Sequence, residues 1–403
     1  MDKEKNPYKL TIVSLYINYI LQGMATIIIT QNMVALMNQL KTDTKGISLV
    51  VSFIGLGRIL SLFIAGKLSD KVGRKLVIWL GMGSYFIFFI GIFLSTNIIM
   101  ALISTLFAGF ANAFLDTGTY PTLIEAYPDK HAFLSVLNKF FISTGQFILP
   151  LLVNFLTIKN LSYKYSFIAC LVILTINSVN MIFRKYPNQI KVKEEELEES
   201  AVVMAEQPIF WFEGLFSILF GFTSVSTFNI VLMWLPEFGE KIASMTHESS
   251  LMLVSVYSVG SIISVFMTSF LVKNFIKPIN MVIYCTLLSV FSLIILLIFS
   301  DPTICLVIAF CIGVFASGGI WQLVLSIFLE MFPNNKGENT GYYTLATSVS
   351  VMIIPIITGY LNEISSTYVF IFNAFITFIG FVSAVIIKHR YKKVFPEASE
   401  RTS

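Results

Sequence analysis

Twelve runs of apolar residues, each about twenty residues or longer, occupy most of this 403-residue chain. A helix needs about 20 apolar residues to cross a membrane. Only 12% of the residues are charged, whereas soluble domains carry about 25%. The runs lie at 10–32, 47–65, 76–94, 98–124, 133–157, 164–183, 209–235, 250–271, 279–299, 303–329, 340–361 and 367–387. The sequence therefore predicts an all-α integral membrane protein with twelve transmembrane helices.

The longest polar stretch divides these spans into two sets of six. It covers residues 185–208 and contains an acidic run at 194–199. Charge blocks of this kind are typical of solvated spacer segments. We predict a six-helix bundle at 1–184, a cytoplasmic central loop at 185–208, a second six-helix bundle at 209–387 and a cytoplasmic tail at 388–403.

The two sets of spans repeat each other. Gly57, Ser61 and Ala65 of span 2 recur as Gly260, Ser264 and Thr268 of span 8, at a constant offset of 203 residues. Glu125 and Pro150 recur as Glu330 and Pro355 at an offset of 205. Small residues at every fourth position allow two helices to approach closely. The spacing predicts duplication of a six-helix unit, with a binding site between the two halves near the middle of the membrane.

The basic residues predict the orientation of the chain. If both ends are inside, 20 of the 27 Lys and Arg residues fall in inner loops and ends, and five fall in outer loops. Positive residues are retained on the cytoplasmic side. We therefore expect a multi-pass protein of the plasma membrane with both termini in the cytoplasm. The remaining two basic residues, Arg58 and Lys139, lie inside predicted spans.

Several classes of function lack their sequence signals. A net charge of +4 without a basic, aromatic-rich run gives no binding face for nucleic acid. The four cysteines lie inside apolar runs and form no CxxC pair, so we expect no disulfide framework and no metal site. The chain has no P-loop, HExxH or GxSxG motif. We therefore expect neither an enzyme nor a cofactor, and a signalling receptor would need an output domain that the short tail does not supply.

One motif connects spans 2 and 3. Residues 66–75 read Gly-Lys-Leu-Ser-Asp-Lys-Val-Gly-Arg-Lys. This stretch resembles the signature loop of the major facilitator superfamily, G-x-L-[SA]-D-[KR]-x-G-R-[KR], at every specified position. Residues 272–277 form a degenerate second copy between spans 8 and 9. The resemblance implies two pseudo-symmetric six-helix bundles and solute transport by alternating access.

The resemblance also implies a gate at the cytoplasmic face. In the family this loop latches the inner side of the outward-open state, which assigns a gate role to Gly66, Asp70, Gly73, Arg74 and Glu125, with Arg74 paired to Glu125. Glycine permits tight turning and close backbone approach. The alternative is that the basic residues only enforce orientation.

Polar side chains inside spans 1, 4, 7 and 10 predict a solute cavity, because intramembrane polar groups usually face a cavity or a partner. The family lines its central cavity with these same spans. The candidates for binding solute are Asn18, Gln22, Asn112, Asn229, Trp321 and Gln322. Amides beside an aromatic face suit a hydroxylated solute, and the alternative for each amide is a hydrogen bond between helices.

Two charged residues inside the spans are natural partners. Arg58 lies too deep in span 2 to reach the surface easily, and Asp116 is the single carboxylate well inside a predicted span. Their functional interpretation is proton coupling, since intramembrane carboxylates often mark proton paths. Arg58 could also bind an anionic solute, and the alternative is a permanent structural ion pair. Lys139 lies near the inner start of span 5, and we expect it to anchor the helix at the interface.

Together these features predict a secondary active transporter, a monomer in the lipid bilayer, moving a small polar solute that is sugar-like or an organic anion. We expect proton coupling and symport. The alternative is drug efflux by proton antiport, which the sequence favours less. Drug antiporters of the family carry an arginine in span 4 and a glycine-rich element in span 5, and this chain has no arginine in span 4 and only Gly145 and Pro150 at the matching part of span 5.

Overall fold

The computed structural model describes residues 7–187, 204–317, 319–334 and 336–396. The described residues fold into α-helices that follow one another along the chain as α1 Lys9–Gln31, α2 Met33–Leu40, α3 Thr44–Val72, α4 Arg74–Leu94, α5 Ile98–Ala126, α6 His131–Ile158, α7 Lys164–Ile182, α8 Leu215–Lys241, α9 His247–Asn274, α10 Pro278–Ile298, α11 Pro302–Ser317, α12 Ile320–Met331, α13 Lys336–Ile364 and α14 Ser366–Val394. Twelve helical stretches are long and apolar enough to cross a membrane. The predicted fold class is confirmed. Most of the predicted central loop and the end of the tail lie outside the described residues.

Two helices differ from the predicted spans. The short helix α2 follows span 1 and was not predicted, because its eight residues are too few for a crossing. Span 10 consists of α11 and α12 rather than one continuous helix. Gly319 separates them with a φ of +92°, a backbone conformation that glycine adopts without steric cost.

In the first half, α3 and α5 approach to backbone contact at two glycines. A Cβ atom on Gly57 would lie 2.2 Å from the carbonyl oxygen of Leu106, and one on Gly109 would lie 2.2 Å from that of Ile54. Real side chains do not tolerate such distances. The absence of a side chain at both positions therefore sets the separation of these helices.

The second half repeats this crossing between α9 and α11. A Cβ atom on Gly260 would lie 2.4 Å from the carbonyl oxygen of Phe310, and one on Gly313 would lie 2.1 Å from that of Tyr257. These four residues correspond to Gly57, Leu106, Gly109 and Ile54 at offsets of 203 or 204. The sequence repeat is therefore also a repeat of helix packing.

The two halves meet along two helix pairs. At one pair, α3 and α13, a Cβ atom on Gly55 would lie 2.3 Å from the backbone nitrogen of Met352. At the other pair, α6 and α9, the hydroxyl of Ser255 donates a hydrogen bond of 2.9 Å to the carbonyl oxygen of Phe147. Phe147 and Met352 differ by the same 205 residues as Pro150 and Pro355. The two helix pairs are therefore related by the internal repeat.

The halves share a buried apolar core mainly at one end of the bundle. We call the face where α1 begins and α14 ends the terminal face. The largest buried cluster combines residues of the first half with residues of the second half near the opposite face, such as Trp234 and Leu253. A separate cluster fills the second half toward the terminal face. Lys45 and Glu363 form an ion pair across the halves at the opposite face.

Candidate solute and proton site

Arg58 and Asp116 form an ion pair inside the first half. The Nη2 atom of Arg58 lies 3.2 Å from Oδ2 of Asp116, so it joins α3 to α5. The hydroxyl of Tyr19 on α1 donates a 3.2 Å hydrogen bond to Oδ1 of the same carboxylate. Each carboxylate oxygen therefore has one partner, and three helices meet at Asp116.

The glycine crossing of α3 and α5 places this ion pair. Gly109 lies against the backbone nitrogen of Arg58, where a Cβ atom would come within 2.5 Å. The side chains of Arg58 and Asp116 are 22% and 20% exposed, and the Nε atom of Arg58 is buried without a partner among the described residues. The pair is therefore not fully buried, and the guanidinium keeps an unused donor.

Asn112, one turn before Asp116, faces α4. Its Oδ1 atom accepts a 2.6 Å hydrogen bond from the hydroxyl of Tyr85, whose side chain is fully buried. This bond uses one amide oxygen in a contact between helices. Asn112 therefore has an interhelical partner next to the ion pair.

The two amides predicted on α1 have different surroundings. Asn18 is buried, and its Oδ1 atom accepts a 2.8 Å hydrogen bond from the Nδ2 atom of Asn177 on α7. Gln22 is also buried, and its Oε1 atom has no partner in the described part of the chain. Spacing of four residues puts two side chains on one face, but it does not determine which neighbour each one meets. Gln22 keeps a free acceptor, and Asn18 packs against α7.

In the second half, Asn229 and Trp321 keep free hydrogen-bond donors. The Nδ2 atom of Asn229 on α8 and the Nε1 atom of Trp321 on α12 are buried, and neither has a partner among the residues that the structure describes. The Trp321 ring lies 5.5 Å from the ring of Tyr343, centre to centre. Gln322 is exposed. The second half therefore offers donors, whereas Gln22 offers an acceptor.

The gate residues cluster at the terminal face. The Nε atom of Arg74 lies 3.1 Å from Oε1 of Glu125, and its Nη1 atom lies 2.7 Å from Oδ1 of Asp70. Nη1 also donates to the hydroxyl of Ser69, which donates in turn to the carbonyl oxygen of Thr117. Arg74 therefore connects the end of α3 and the start of α4 with the end of α5.

The turn between α3 and α4 is shorter than the ten-residue motif at 66–75 suggested. Helix α3 continues to Val72, so Gly66 lies inside the helix, and a Cβ atom there would meet nothing within 4 Å. Gly66 therefore makes no close backbone approach among the described residues. Gly73, with a φ of +98°, makes the turn between α3 and α4.

The structure also corrects the interpretation of Lys139. Its Nζ atom lies 4.9 Å from the centre of the Phe228 ring on α8, in the other half of the protein. The side chain points toward the middle of the bundle instead of toward the membrane surface. Position along the helix could not reveal this direction, because a lysine side chain is long enough to turn either way.

A cavity of about 430 Å³ lies near the opposite face between the halves. Its polar lining includes Gln31, Glu237, Glu240 and His247. Gln31 is 3% exposed, and both of its amide atoms are without a partner among the described residues. In the sequence, the only sign of this cavity was the polar residue Gln31 at the end of predicted span 1.

The described residues contain no cluster of three His, Cys, Asp or Glu that could hold a metal ion.

Twelve membrane-spanning helices in two repeated halves, with polar groups at their boundary, define a membrane transport protein. The Major Facilitator Superfamily model matches residues 15–336 and 247–402, and the chain belongs to this family. It is therefore a transporter and not an enzyme.

Two relatives from Escherichia coli (strain K12) match nearly the whole chain. Inner membrane transport protein YdiN is 33% identical over 96% of this chain and 92% of its own length. Inner membrane transport protein YdiM is 35% identical over 96% of each chain. The crystal structure of a D-xylose-proton symporter matches the fold with a TM-score of 0.71 and 15% identity, over 98% of this chain and 100% of that chain. The relatives support membrane transport, and the solved structure supports the fold.

Proposed function

We propose that this protein is a proton-coupled transporter of a small polar solute, either sugar-like or an organic anion. The observation that carries the proposal is the contact of Asp116 with both Arg58 and Tyr19 inside the membrane-spanning bundle. An intramembrane carboxylate that pairs with a cation is typical of proton relays in transporters. The side chains of Arg58 and Asp116 are also not fully buried.

Proton binding at Asp116 would change what Arg58 attracts. The ionised carboxylate neutralises the guanidinium, whereas a protonated carboxyl leaves the guanidinium as a free cation. Arginine itself keeps its charge in proteins. Binding a proton at Asp116 would therefore prepare the first half for an acceptor-rich solute, and loss of the proton would restore the ion pair. This order couples proton and solute in the same direction, as symport requires.

The solute site would lie between the halves, between Gln22 on α1 and the free donors of Asn229 and Trp321 in the second half. A buried donor or acceptor without a partner costs free energy, about 1–3 kcal/mol per group. A solute with both hydroxyl and carboxylate or carbonyl groups would satisfy these atoms. Asn18 and Asn112 would support the site through their bonds to Asn177 and Tyr85.

We place the terminal face in the cytoplasm because most of the basic loop residues belong to it. The cluster around Arg74 would then act as the inner gate of a protein of the plasma membrane, working as a monomer. The apolar core that the halves share at the opposite face supports a state closed toward the outside, in which the contacts of Arg74 stay within the first half.

The decisive experiment is transport by purified protein in lipid vesicles, with radiolabelled sugars, polyols and hydroxycarboxylates and an imposed pH difference. We expect accumulation by the wild type to depend on the pH difference. Asp116→Asn should still exchange solute across the membrane without accumulating it. The control is Asp301→Asn, because Asp301 caps α11 outside the spans. Full accumulation by Asp116→Asn would exclude the proton role.

The alternative function is drug efflux by proton antiport. The same vesicles, loaded with lipophilic cationic dyes, test this alternative directly. Extrusion of dyes together with no uptake of any polar solute would favour it. The buried amides and the intramembrane ion pair of Asp116 with Arg58 favour the polar solute, because drug-binding pockets are predominantly apolar and aromatic.

A further inference from the structure

The ammonium group of Lys139 lies between the two halves, close to the middle of the membrane-spanning bundle. Its aromatic contact, Phe228, is the central residue of α8, thirteen residues from both Leu215 and Lys241. One turn further along α6, the hydroxyl of Ser143 lies 2.8 Å from that of Ser261, near the middle of α9. The ammonium is therefore at the depth and boundary where a solute of this family fold would reside.

No described carboxylate lies within ion-pair distance of Lys139. In the interior of the described spans, Arg58 and Asp116 neutralise each other, which leaves Lys139 as an uncompensated cation. A lysine in the middle of a membrane is costly without a partner. The face of an aromatic ring attracts a cation less strongly than a carboxylate does. The missing carboxylate is therefore one that the solute could supply.

The neighbouring polar groups also suit an anion. Asn229, adjacent to Phe228, has a buried Nδ2 atom without a partner among the described residues. Asn138, adjacent to Lys139 on α6, is 1% exposed, and both of its amide atoms are buried without a partner in the described part of the chain. Amide groups without a partner thus stand next to both residues of the Lys139–Phe228 contact along their helices.

We propose that Lys139 binds a carboxylate group of the transported solute, so that the solute is a small organic anion and not a neutral sugar. This inference rests on the proposed function, which left the two classes open. Because α6 and α8 belong to different halves, a carboxylate bound at Lys139 would replace the contact with Phe228 and change how the halves meet. Solute binding at Lys139 would therefore affect both halves of the protein.

The experiment compares neutral and acidic solutes of the same carbon skeleton. The pairs are glucose with gluconate, galactose with galacturonate, and glycerol with glycerate. Binding to purified protein in detergent is measured by the rise in melting temperature and by isothermal titration calorimetry. The variants are Lys139→Gln and Lys139→Arg. Lys164→Gln is the matched control, because Lys164 makes the same type of contact, 5.1 Å from the Phe93 ring, at the start of α7.

We expect an acid of the panel to bind and its neutral partner to bind much more weakly. Lys139→Gln should weaken binding of that acid on the order of 30-fold or more. Lys139→Arg and Lys164→Gln should bind it nearly as the wild type does. A fall in affinity with Gln that Arg restores identifies a charge requirement and not a packing defect.

Three results would overturn the inference: equal binding of neutral and acidic partners, unchanged binding of the acid by Lys139→Gln, or no binding of any acid to the wild type at millimolar concentration. The assay uses no pH gradient. A protein that binds the acid but never accumulates it under a pH difference would refute the proton coupling alone. Proton-driven accumulation of a neutral sugar by Lys139→Gln would refute this inference alone.

Discussion

Arg58 and Asp116 face each other across α3 and α5 with 3.2 Å between Nη2 and Oδ2, next to the point where the two helix backbones touch at Gly109. The ion pair depends on the glycine crossing, because the crossing sets the helix separation at which the two side chains meet. The two charges also differ in one property. A carboxylate can be neutralised by a proton, whereas a guanidinium in a protein cannot lose its charge.

This difference predicts unequal effects of removing either charge. Asp116→Asn leaves a permanent charge inside the membrane, which costs about 2.5–3.5 kcal/mol on insertion scales. Arg58→Gln leaves a carboxylate that can take up a proton. We expect Asp116→Asn to lower the melting temperature of the purified protein more than Arg58→Gln does, and the double variant to recover most of the loss. Equal losses in the two single variants would contradict this view.

We predict that even a small side chain at position 109 strongly destabilises the protein. A Cβ atom would lie 2.2 Å from the Ile54 oxygen and 2.5 Å from the Arg58 nitrogen, so Gly109→Val must push α5 away from α3. Overpacking of this kind costs about 1–3 kcal/mol or more. We expect a fall of about 5 °C or more in melting temperature and loss of transport. Gly83→Val is the control, since a Cβ atom there meets nothing within 4 Å; a similar fall in both would rule out the crossing as the cause.

We predict that removing the Arg74 side chain abolishes transport but does not lower the amount of protein in the membrane. The Glu125 side chain is only 5% exposed, and leaving a buried charge unpaired costs about 3–5 kcal/mol. Conformational states of one protein usually differ by a few kcal/mol. Arg74→Ala should therefore abolish transport in vesicles while membrane yield stays normal. Lys71→Ala removes one positive charge near the same turn and should transport normally. If both variants lose transport, or neither does, the gate role fails.

Breaking the ion pair between Lys45 and Glu363 should affect transport much less than removing Arg74 does. Both side chains are more than one-third exposed, and exposed ion pairs contribute about 1 kcal/mol or less. Lys45→Gln should change the transport rate by less than about fivefold. High salt should reduce the difference from the wild type, because mobile ions screen exposed charges. A complete block by Lys45→Gln would mean that this contact dominates closure at the opposite face.

Much of the fold follows from the sequence, because hydrophobic length and helix-breaking residues are local properties. The twelve spans and the repeated glycines Gly57 and Gly260 were visible in the chain, and the predicted partners Arg58 and Asp116 are in contact. The directions of single side chains were less accessible. Asn18 turns to α7, and Lys139 turns to Phe228, because each direction depends on a neighbouring helix that is distant in sequence. The break at Gly319 was also missed, since apolar residues continue through it.

The repeated glycine crossing also bears on how the two halves diverged. The residues that correspond to Arg58 and Asp116 at offsets of 203 and 204 are Ser261 and Ile320, so the duplicates share their backbone geometry but not the charges. An unpaired arginine inside the membrane carries a permanent cost, whereas an unpaired aspartic acid can hold a proton. If the charges arose after duplication, the accessible mutational path acquired the acid first and the arginine second. A proton would then have occupied this position before any ion pair existed.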